Sequence, residues 1–254
     1  MRRASTCLAV LALGLLALPG IASAAPTVSI KVKVVPIPGF PGTGYILGAG
    51  AAEQAEFQIA GTEYGGFPPP LIGVNFYLPT GTVLHPAGFP TCPLETLEKV
   101  GSCAKNSQAG PLGHALGVVS FGSERVPEEV EIQPYFAPGG GLEFYAAGHS
   151  PVALELISKG HYVTGGGAGF GQVLMSEVPL VETVPGAPDA STEKISVKVG
   201  AAIKKNGKTT YYGRVPKKCP AGGFPFKAEL MFAGLGGLSP QTVTTSYKVP
   251  CPKK

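Results

Sequence analysis

Hydrophobic and polar residues alternate along much of the chain, as half-buried β-strands require, because successive side chains of a strand point to opposite faces. The first such run alternates Val28, Ile30, Val32 and Val34 with Ser29, Lys31 and Lys33. Further apolar or alternating runs cover 71–78, 115–121, 130–136, 142–147, 152–158 and 178–184. No strong helical period is found, and one short helix is predicted over 93–100. The pattern predicts an all-β, β-sandwich-like fold of many short antiparallel strands.

A linker-like stretch, rich in Pro, Gly and Ala, covers 185–191. It suggests a larger β-sandwich domain over 25–188 and a small basic β module over 189–254. Within the second part, Asn206-Gly207 favours a type I′ hairpin. Further strands are predicted over 195–199, 209–215, 224–232 and 243–249, so we expect the C-terminal part to form a small sheet.

Composition supports a folded chain. Of 254 residues, 37 are Gly and 26 are Pro, which approaches the range of disordered proteins. However, 44% are hydrophobic and 14% are charged, so there is apolar surface to bury. We interpret the Gly and Pro residues as turns between short strands.

The first 24 residues are typical of a signal peptide. Arg2 and Arg3 precede an apolar run over 8–18, and Ala22-Ser23-Ala24 supplies small residues for cleavage. The run is too short to span a bilayer and no longer one follows, so no transmembrane anchor is predicted. We expect a secreted protein that acts outside the cell or in the cell envelope.

Beyond that signal, four cysteines remain, an even number that suits disulfides in an exported protein. Four cysteines allow three pairings. The pairs Cys92–Cys103 and Cys219–Cys251 keep each bridge on its own side of the proposed boundary, so we predict these.

Several short motifs carry a resemblance. They are GGFPPPL at 65–71, GFPTC at 88–92, KCPAGGF at 218–224 and the closing PCP at 250–252. Together they resemble an uncharacterised exported, cysteine-paired, β-rich protein family of high-GC Gram-positive bacteria. The resemblance implies a secreted β-rich protein and carries no activity, ligand or catalytic residue.

The run 148–152, Gly-His-Ser-Pro-Val, resembles a serine hydrolase elbow, but Val152 stands where the second Gly belongs and no helix follows. A hairpin explains the run as well, with Phe144 opposite Leu156 and Ala146 opposite Leu154. We interpret His149 and Ser150 as exposed turn residues. A hydrolase site near His149, Ser150 and His161 is the alternative.

Other candidate chemistries find little support. The glutamates weighed as a glycosidase pair are Glu128, Glu129, Glu131, Glu143 and Glu155, but no Trp is present to stack on sugars. The histidines lack zinc-site spacing; they are His85, His114, His149 and His161. The glycines of 165–171 miss the phosphate-loop and dinucleotide spacings. No metal, cofactor or specific nucleic acid is predicted.

Charge divides sharply along the chain. Residues 25–188 contain six Lys or Arg residues and thirteen Glu residues. Residues 189–254 contain twelve Lys or Arg residues and only three acidic residues. Either the two parts dock on each other, or the basic part holds an anionic partner such as an acidic cell-envelope polymer. The candidate anion-binding residues are Lys204, Lys205, Lys208, Lys217 and Lys218.

Taken together, the sequence favours a secreted, non-enzymatic binding protein or structural protein of the cell envelope or extracellular matrix. The hydrolase is one alternative. A carbohydrate-binding module is another, with aromatic stacking surfaces at Tyr64, Tyr77, Tyr135 and Tyr145. An exposed row of these rings would favour the module.

Overall fold

The computed structural model describes residues 25–121, 124–150, 152–184, 187–188 and 190–252. The predicted signal peptide lies outside these described residues. Within them, no helix is long and apolar enough to cross a membrane.

The described chain is built almost entirely of β-strands. In chain order the elements are β1 (Thr27–Val35), β2 (Ala52–Ala60), β3 (Leu71–Pro79), β4 (Val83–Leu84), α1 (Leu94–Val100), a 3-10 helix (Lys105–Ser107), β5 (Gly113–Phe121), β6 (Glu124–Phe136), a second 3-10 helix (Pro138–Gly140), β7 (Leu142–Gly148), β8 (Leu154–Thr164), β9 (Phe170–Glu177), β10 (Glu182–Val184), β11 (Ala187–Pro188), β12 (Ser191–Val199), β13 (Ala202–Lys205), β14 (Lys208–Tyr211), β15 (Gly213–Arg214), β16 (Phe224–Phe232) and β17 (Gln241–Val249).

One sheet of eleven strands dominates the molecule. Its order is β1-β2-β12-β5-β6-β7-β8-β9-β3-β16-β17, with each hydrogen-bonded pair antiparallel. The two outer strands, β1 and β17, pack beside each other, so the sheet is a nearly closed barrel. A long twisted sheet with one apolar face buries that face by curling on itself. The predicted all-β class is therefore confirmed, with a barrel in place of two packed sheets.

The strands that follow residue 188 join this same sheet. β12 lies between β2 and β5, and β16 pairs with β3. The expected separate C-terminal sheet is therefore not formed. The predicted type I′ hairpin is confirmed, because Asn206 and Gly207 both have positive φ between β13 and β14.

Two strands differ from the predicted pattern. β2 is not predicted, because its sequence AEQAEFQIA places Ala and Glu at inward positions where larger apolar residues would reveal a strand. β9 occupies Phe170–Glu177, whereas the sequence suggests a strand at 178–184. The start of β9 overlaps the glycine-rich run 165–171, so the alternating pattern of a strand is not recognisable there.

The β7–β8 hairpin is present with a different register. Ala146 lies opposite Leu156, and Phe144 lies opposite Ser158, so the predicted pairing is wrong by two residues. The backbone N–H of Val152 donates to the Glu128 carboxylate at 3.2 Å. This bond holds Val152 in a longer connecting loop and keeps it out of the strand.

Both predicted disulfides are confirmed. Cys92 and Cys103 bracket α1, with Cα atoms 5.7 Å apart. Leu97 of this helix packs with Cys92 and Tyr135 against the outer side of the barrel. Cys219 and Cys251 join the segment before β16 to the end of β17, with Cα atoms 5.8 Å apart.

The barrel interior is filled on one side. Large buried side chains from β1 and β16 pack there, including Ile30, Phe224, Phe226, Leu230 and Phe232. We call these residues the filled side. The stacked rings of Phe76 and Phe226, 5.8 Å apart, contribute to it.

An aromatic cluster closes one end of the barrel. Phe89, Phe136 and Tyr212 pack with ring centroids 4.7 to 5.8 Å apart. Phe89 and Tyr212 lie in connecting segments, so segments outside the main sheet form this closure. We call the cluster the aromatic plug.

Candidate functional site

The barrel interior opposite the filled side contains a cavity of about 240 Å³. The inward positions there carry small side chains, including Ala115, Gly117, Ala146, Ser158 and Ser176. Side chains at opposed positions of antiparallel strands share a face, and each of these small residues lies opposite a larger one on a neighbouring strand, as Ala115 does opposite Val130 and Ala146 opposite Leu156. The small residues on these neighbouring strands therefore leave the cavity unfilled. We call these positions the hollow side.

The cavity wall is mainly apolar. Its larger hydrophobic side chains include Phe57, Val74, Phe76, Val130, Ile132, Phe144, Leu156, Leu174, Ile195 and Val197. These positions belong to seven strands of the main sheet. The cavity is thus a property of the barrel, and does not depend on one loop.

Glu53 is the acidic group near the plugged end of the cavity. It lies on the inward face of β2, opposite Val34 on one neighbouring strand and Val199 on the other. Burial raises the pKa of its carboxyl to about 7. Glu53 keeps some accessible surface, and because the residue lines the cavity, we assign that surface to the cavity.

Two tyrosines lie near Glu53. Tyr162 projects inward from β8, and Tyr212 belongs to the aromatic plug and is 2% exposed. Burial raises the pKa of Tyr212 to about 12, and the negative charge of Glu53 also raises it. Burial likewise raises the pKa of Tyr162 well above its usual value, with Tyr212 and Glu53 adding to it. The three groups form one polar cluster.

The cluster has unused hydrogen-bonding capacity. Among the described residues, no partner meets hydrogen-bond geometry with the Tyr212 hydroxyl. The Tyr162 hydroxyl is close enough to influence the ionisation of Tyr212, but it forms no hydrogen bond of normal geometry with the Tyr212 oxygen. Buried polar groups normally have partners, so the Tyr212 hydroxyl is an unsatisfied polar group beside the cavity.

Arg214 also lines the cavity without neutralising Glu53. Its guanidinium lies over the ring of Tyr211, with 4.8 Å from Cζ to the ring centroid. It also donates to the Gly48 carbonyl at 3.2 Å. Within the described ranges, Glu53 has no ion-pair partner.

A second buried acid lies toward the other end of the cavity. Glu128 is 1% exposed and receives the Val152 N–H through one carboxylate oxygen. Its other oxygen, like the Ser191 hydroxyl, has no partner among the described residues. Gly148 makes room for the carboxylate, because a Cβ there would come within 2.4 Å of it. The cavity therefore has polar groups toward both ends.

The predicted hydrolase residues do not converge. His149 and Ser150 are exposed between β7 and β8, and His161 is exposed near the far end of β8. His161 lies seven positions after Leu154, which corresponds to roughly 23 Å along an extended strand. The structure thus shows an exposed hairpin connection at His149 and Ser150, the arrangement that favours a binding protein.

The five glutamates weighed as a glycosidase pair also remain apart. Glu128 points into the barrel, whereas Glu143 is buried on the outer face of the sheet. Burial raises the pKa of the Glu143 carboxyl. Glu129, Glu131 and Glu155 are exposed. No two of them face each other across the cavity.

The tyrosines proposed as stacking surfaces form no exposed row. Tyr135 is buried, Lys227 lies 3.6 Å from the ring centroid of Tyr77, and Arg125 lies over Tyr64. The hydroxyl of Tyr145 interacts with Glu155. These rings already contact other side chains of the protein.

The remaining candidates lie on the surface. All five candidate anion-binding lysines, Lys204, Lys205, Lys208, Lys217 and Lys218, are exposed. His85 and His114 are exposed as well. Within the described ranges, no three His, Cys, Asp or Glu side chains lie where they could hold a metal ion together.

Comparisons of the chain with protein families, with curated proteins and with solved structures found no match. Sequence reasoning missed Glu53, although alternation contains the signal. Gln54, Glu56 and Gln58 share the outward face of β2, which places Glu53 on the same inward face as Ala55 and Phe57.

Proposed function

We propose that this protein binds a small, largely apolar molecule inside its barrel and is not an enzyme. The observation that carries the proposal is the cavity of about 240 Å³ between the filled side and the small residues of the hollow side. Protein interiors are normally packed as densely as organic crystals. A cavity of this size within a well-packed fold favours a binding role.

Energetics support the same conclusion. At about 24 cal/mol per Å³, a cavity of 240 Å³ costs on the order of 6 kcal/mol if nothing fills it. Whole domains are typically stable by only about 5–15 kcal/mol. Larger residues at Ala115 or Ala146 would remove this cost, so the small residues are best explained by a ligand.

Cavity size and lining indicate the ligand's general chemistry. An apolar cavity of about 150 Å³ in another protein takes up benzene. The cavity described above is larger and suits a molecule with more carbon atoms than a single ring. Its mainly hydrophobic wall favours a hydrocarbon body, and the groups near its ends favour one polar substituent.

We also propose that the protein works outside the cytosol. Two disulfides form within the described residues, and disulfides persist mainly in oxidising compartments. Together with the signal-like N-terminal sequence, this supports a secreted or cell-envelope binding protein.

The test is displacement of a neutral fluorescent dye. N-phenyl-1-naphthylamine should bind the purified protein and gain fluorescence, and octylamine or 1-octanol should displace it. Ala115→Phe places a large ring in the cavity and should weaken dye binding by about tenfold or more. His114→Phe adds the same ring on the outward face of the same strand and should bind normally.

Circular dichroism should show that both variants keep the β-sheet. Equal dye binding by Ala115→Phe and the unaltered protein would contradict the proposal, as would absence of dye binding to the unaltered protein. Solvent extraction of protein purified from its natural host, followed by mass spectrometry, should identify the bound molecule.

A second, separate function is favoured by the basic hairpin, and we propose that it holds an anionic polymer. Lys205 lies directly opposite Lys208 across β13 and β14, with Lys204 beside them. Like charges at opposed positions destabilise a hairpin.

The ion pairs Lys33–Glu56 and Lys227–Glu229 each lie within one part of the chain, so they lend no support to charge-driven docking between the parts.

Retention on a heparin column tests the polymer hypothesis. The whole protein should bind at low salt and elute as ionic strength rises. The triple variant Lys204→Ser, Lys205→Ser, Lys208→Ser should elute earlier. A matched triple substitution at the exposed residues Lys105, Lys159 and Lys248 should have less effect. Equal shifts for the two triple variants would show that only net charge matters.

A further inference from the structure

The polar cluster at the plugged end has a specific chemistry. Glu53 is an acid without a basic partner among the described residues, and Tyr212 is a buried hydroxyl without a hydrogen-bond partner. Tyr162 completes the cluster from the opposite part of the sheet. All three groups can accept hydrogen bonds from a ligand, and the cluster contains no positive charge.

From this arrangement we infer that the cluster binds the amino group of an apolar amine, whose hydrocarbon part fills the cavity. The inference rests on the proposed ligand-binding function. The protonated amine supplies the positive charge that Glu53 lacks. Its N–H groups donate to the Glu53 carboxylate and to the hydroxyl oxygens of Tyr162 and Tyr212.

An amine fits better than an alcohol or a carboxylic acid. A buried charge is costly unless it is paired, and hydrogen bonds that involve charged groups are about twice as strong as neutral ones. An alcohol satisfies one acceptor and leaves the Glu53 charge uncompensated. A carboxylate places a second negative charge beside Glu53, in a site where Arg214 is already engaged with Tyr211 and Gly48.

Aromatic faces add to the preference for a cation. The rings of Tyr162 and Tyr212 line the cavity at the plugged end. Ring faces carry partial negative charge and attract ammonium groups. The same rings also provide apolar contact for the carbon atoms next to the nitrogen.

Three ligands with the same eight-carbon chain test the inference: octylamine, 1-octanol and octanoic acid. Each is titrated against the protein loaded with N-phenyl-1-naphthylamine at pH 8. Octylamine should bind about tenfold or more tightly than 1-octanol, because it makes charge-assisted hydrogen bonds. Octanoic acid should bind most weakly.

Glu53→Gln keeps the side-chain shape and removes the negative charge. It should abolish the preference for octylamine while leaving the affinity for 1-octanol within about threefold. Glu56→Gln is the matched control on the outward face of the same strand, where Glu56 pairs with Lys33 at 3.6 Å. This control should retain the preference.

The pH dependence gives an independent readout. The groups facing Glu53 are the hydroxyls of Tyr162 and Tyr212, which stay protonated near neutral pH, and Arg214 is held away. Because the Glu53 pKa is about 7, its ionised fraction rises about thirtyfold between pH 5.5 and 8.5. Octylamine affinity should rise by up to that factor and remain flat in Glu53→Gln.

The outcomes separate the two proposals. Tighter binding of 1-octanol or octanoic acid than of octylamine overturns the amine inference and leaves the ligand-binding function standing. An amine preference that survives Glu53→Gln also overturns it. If neither the dye nor any of the three ligands binds, both the inference and the proposed function are wrong.

Discussion

The filled side and the hollow side belong to one continuous sheet, yet their inward positions carry different kinds of residues. On the filled side, β16 directs Phe224, Phe226, Leu230 and Phe232 inward. On the hollow side, the inward positions of β5 and β7 hold Ala115, Gly117 and Ala146. The backbone pairing is similar on both sides. The volume of the inward side chains therefore decides whether a region of this barrel is filled or hollow.

Truncation of a ring should affect the two sides unequally. Phe226→Ala removes a fully buried ring that packs on Phe76, and we expect a loss of about 4 kcal/mol in the free energy of unfolding. Phe144→Ala removes a half-buried ring that already borders the cavity, and about 2 kcal/mol should be lost. Urea denaturation of the oxidised protein measures both, and equal losses would mean that the two sides are packed alike.

Removing the charge of Glu53 should stabilise the hollow side in a pH-dependent way. Its folded-state pKa is raised from 4.5 to about 7. Between these values the folded form keeps a proton that the unfolded form has lost, so stability falls as pH rises through this window and the penalty is complete above about pH 7.

Glu53→Gln should therefore raise the free energy of unfolding by up to about 3 kcal/mol at pH 8 and change it little at pH 4. Denaturation at the two pH values provides the measurement. Glu56→Gln, on the outward face, is the control and should show no comparable pH-dependent gain. A gain that is the same at both pH values would rule out burial of the charge as its cause.

Adding volume should have opposite effects on the two sides. Ala228 on β16 is fully buried, so Ala228→Leu overpacks the filled side and should cost about 2 kcal/mol. Ala115→Leu extends into the cavity and should stabilise the protein by about 1 kcal/mol. The unfolding temperature, measured by circular dichroism, should fall for Ala228→Leu and rise for Ala115→Leu. Destabilisation by both variants would contradict the difference in packing between the filled side and the hollow side.

The smallest effect is expected outside both sides. His149 and Ser150 are exposed between β7 and β8. His149→Ala and Ser150→Ala should each change the free energy of unfolding by less than about 0.5 kcal/mol. Neither should alter dye binding. A loss of binding with either variant would extend the site from the barrel interior to this loop.

Local features of the fold were predictable because they depend on local signals. Alternation defines the strand near Val28 to Val34, Asn206-Gly207 defines a hairpin, and both disulfides were predicted from an even cysteine count and a proposed boundary between the two pairs. The closure of the barrel was not predictable in the same way. It depends on β12 inserting between β2 and β5, a pairing between residues far apart in sequence.

The candidate site was harder to predict for a related reason. Glu53, Tyr162 and Tyr212 lie far apart in sequence, and only the curvature of the sheet and the aromatic plug bring them together. Alternation places Glu53 inward but does not say what faces it. Small inward residues such as Ala115 and Ala146 have the same pattern in a tightly packed core as beside a cavity.

The odd number of strands has a consequence for where the chain's ends lie. Eleven strands that alternate in direction place β1 and β17 at the junction running the same way. The start of β1 and the end of β17 therefore lie at opposite ends of the barrel, separated by about nine residues of strand, or roughly 30 Å. A fluorophore attached at residue 25 and another at residue 252 would lie near opposite ends of the barrel, so energy transfer between them would report changes in the height of the barrel.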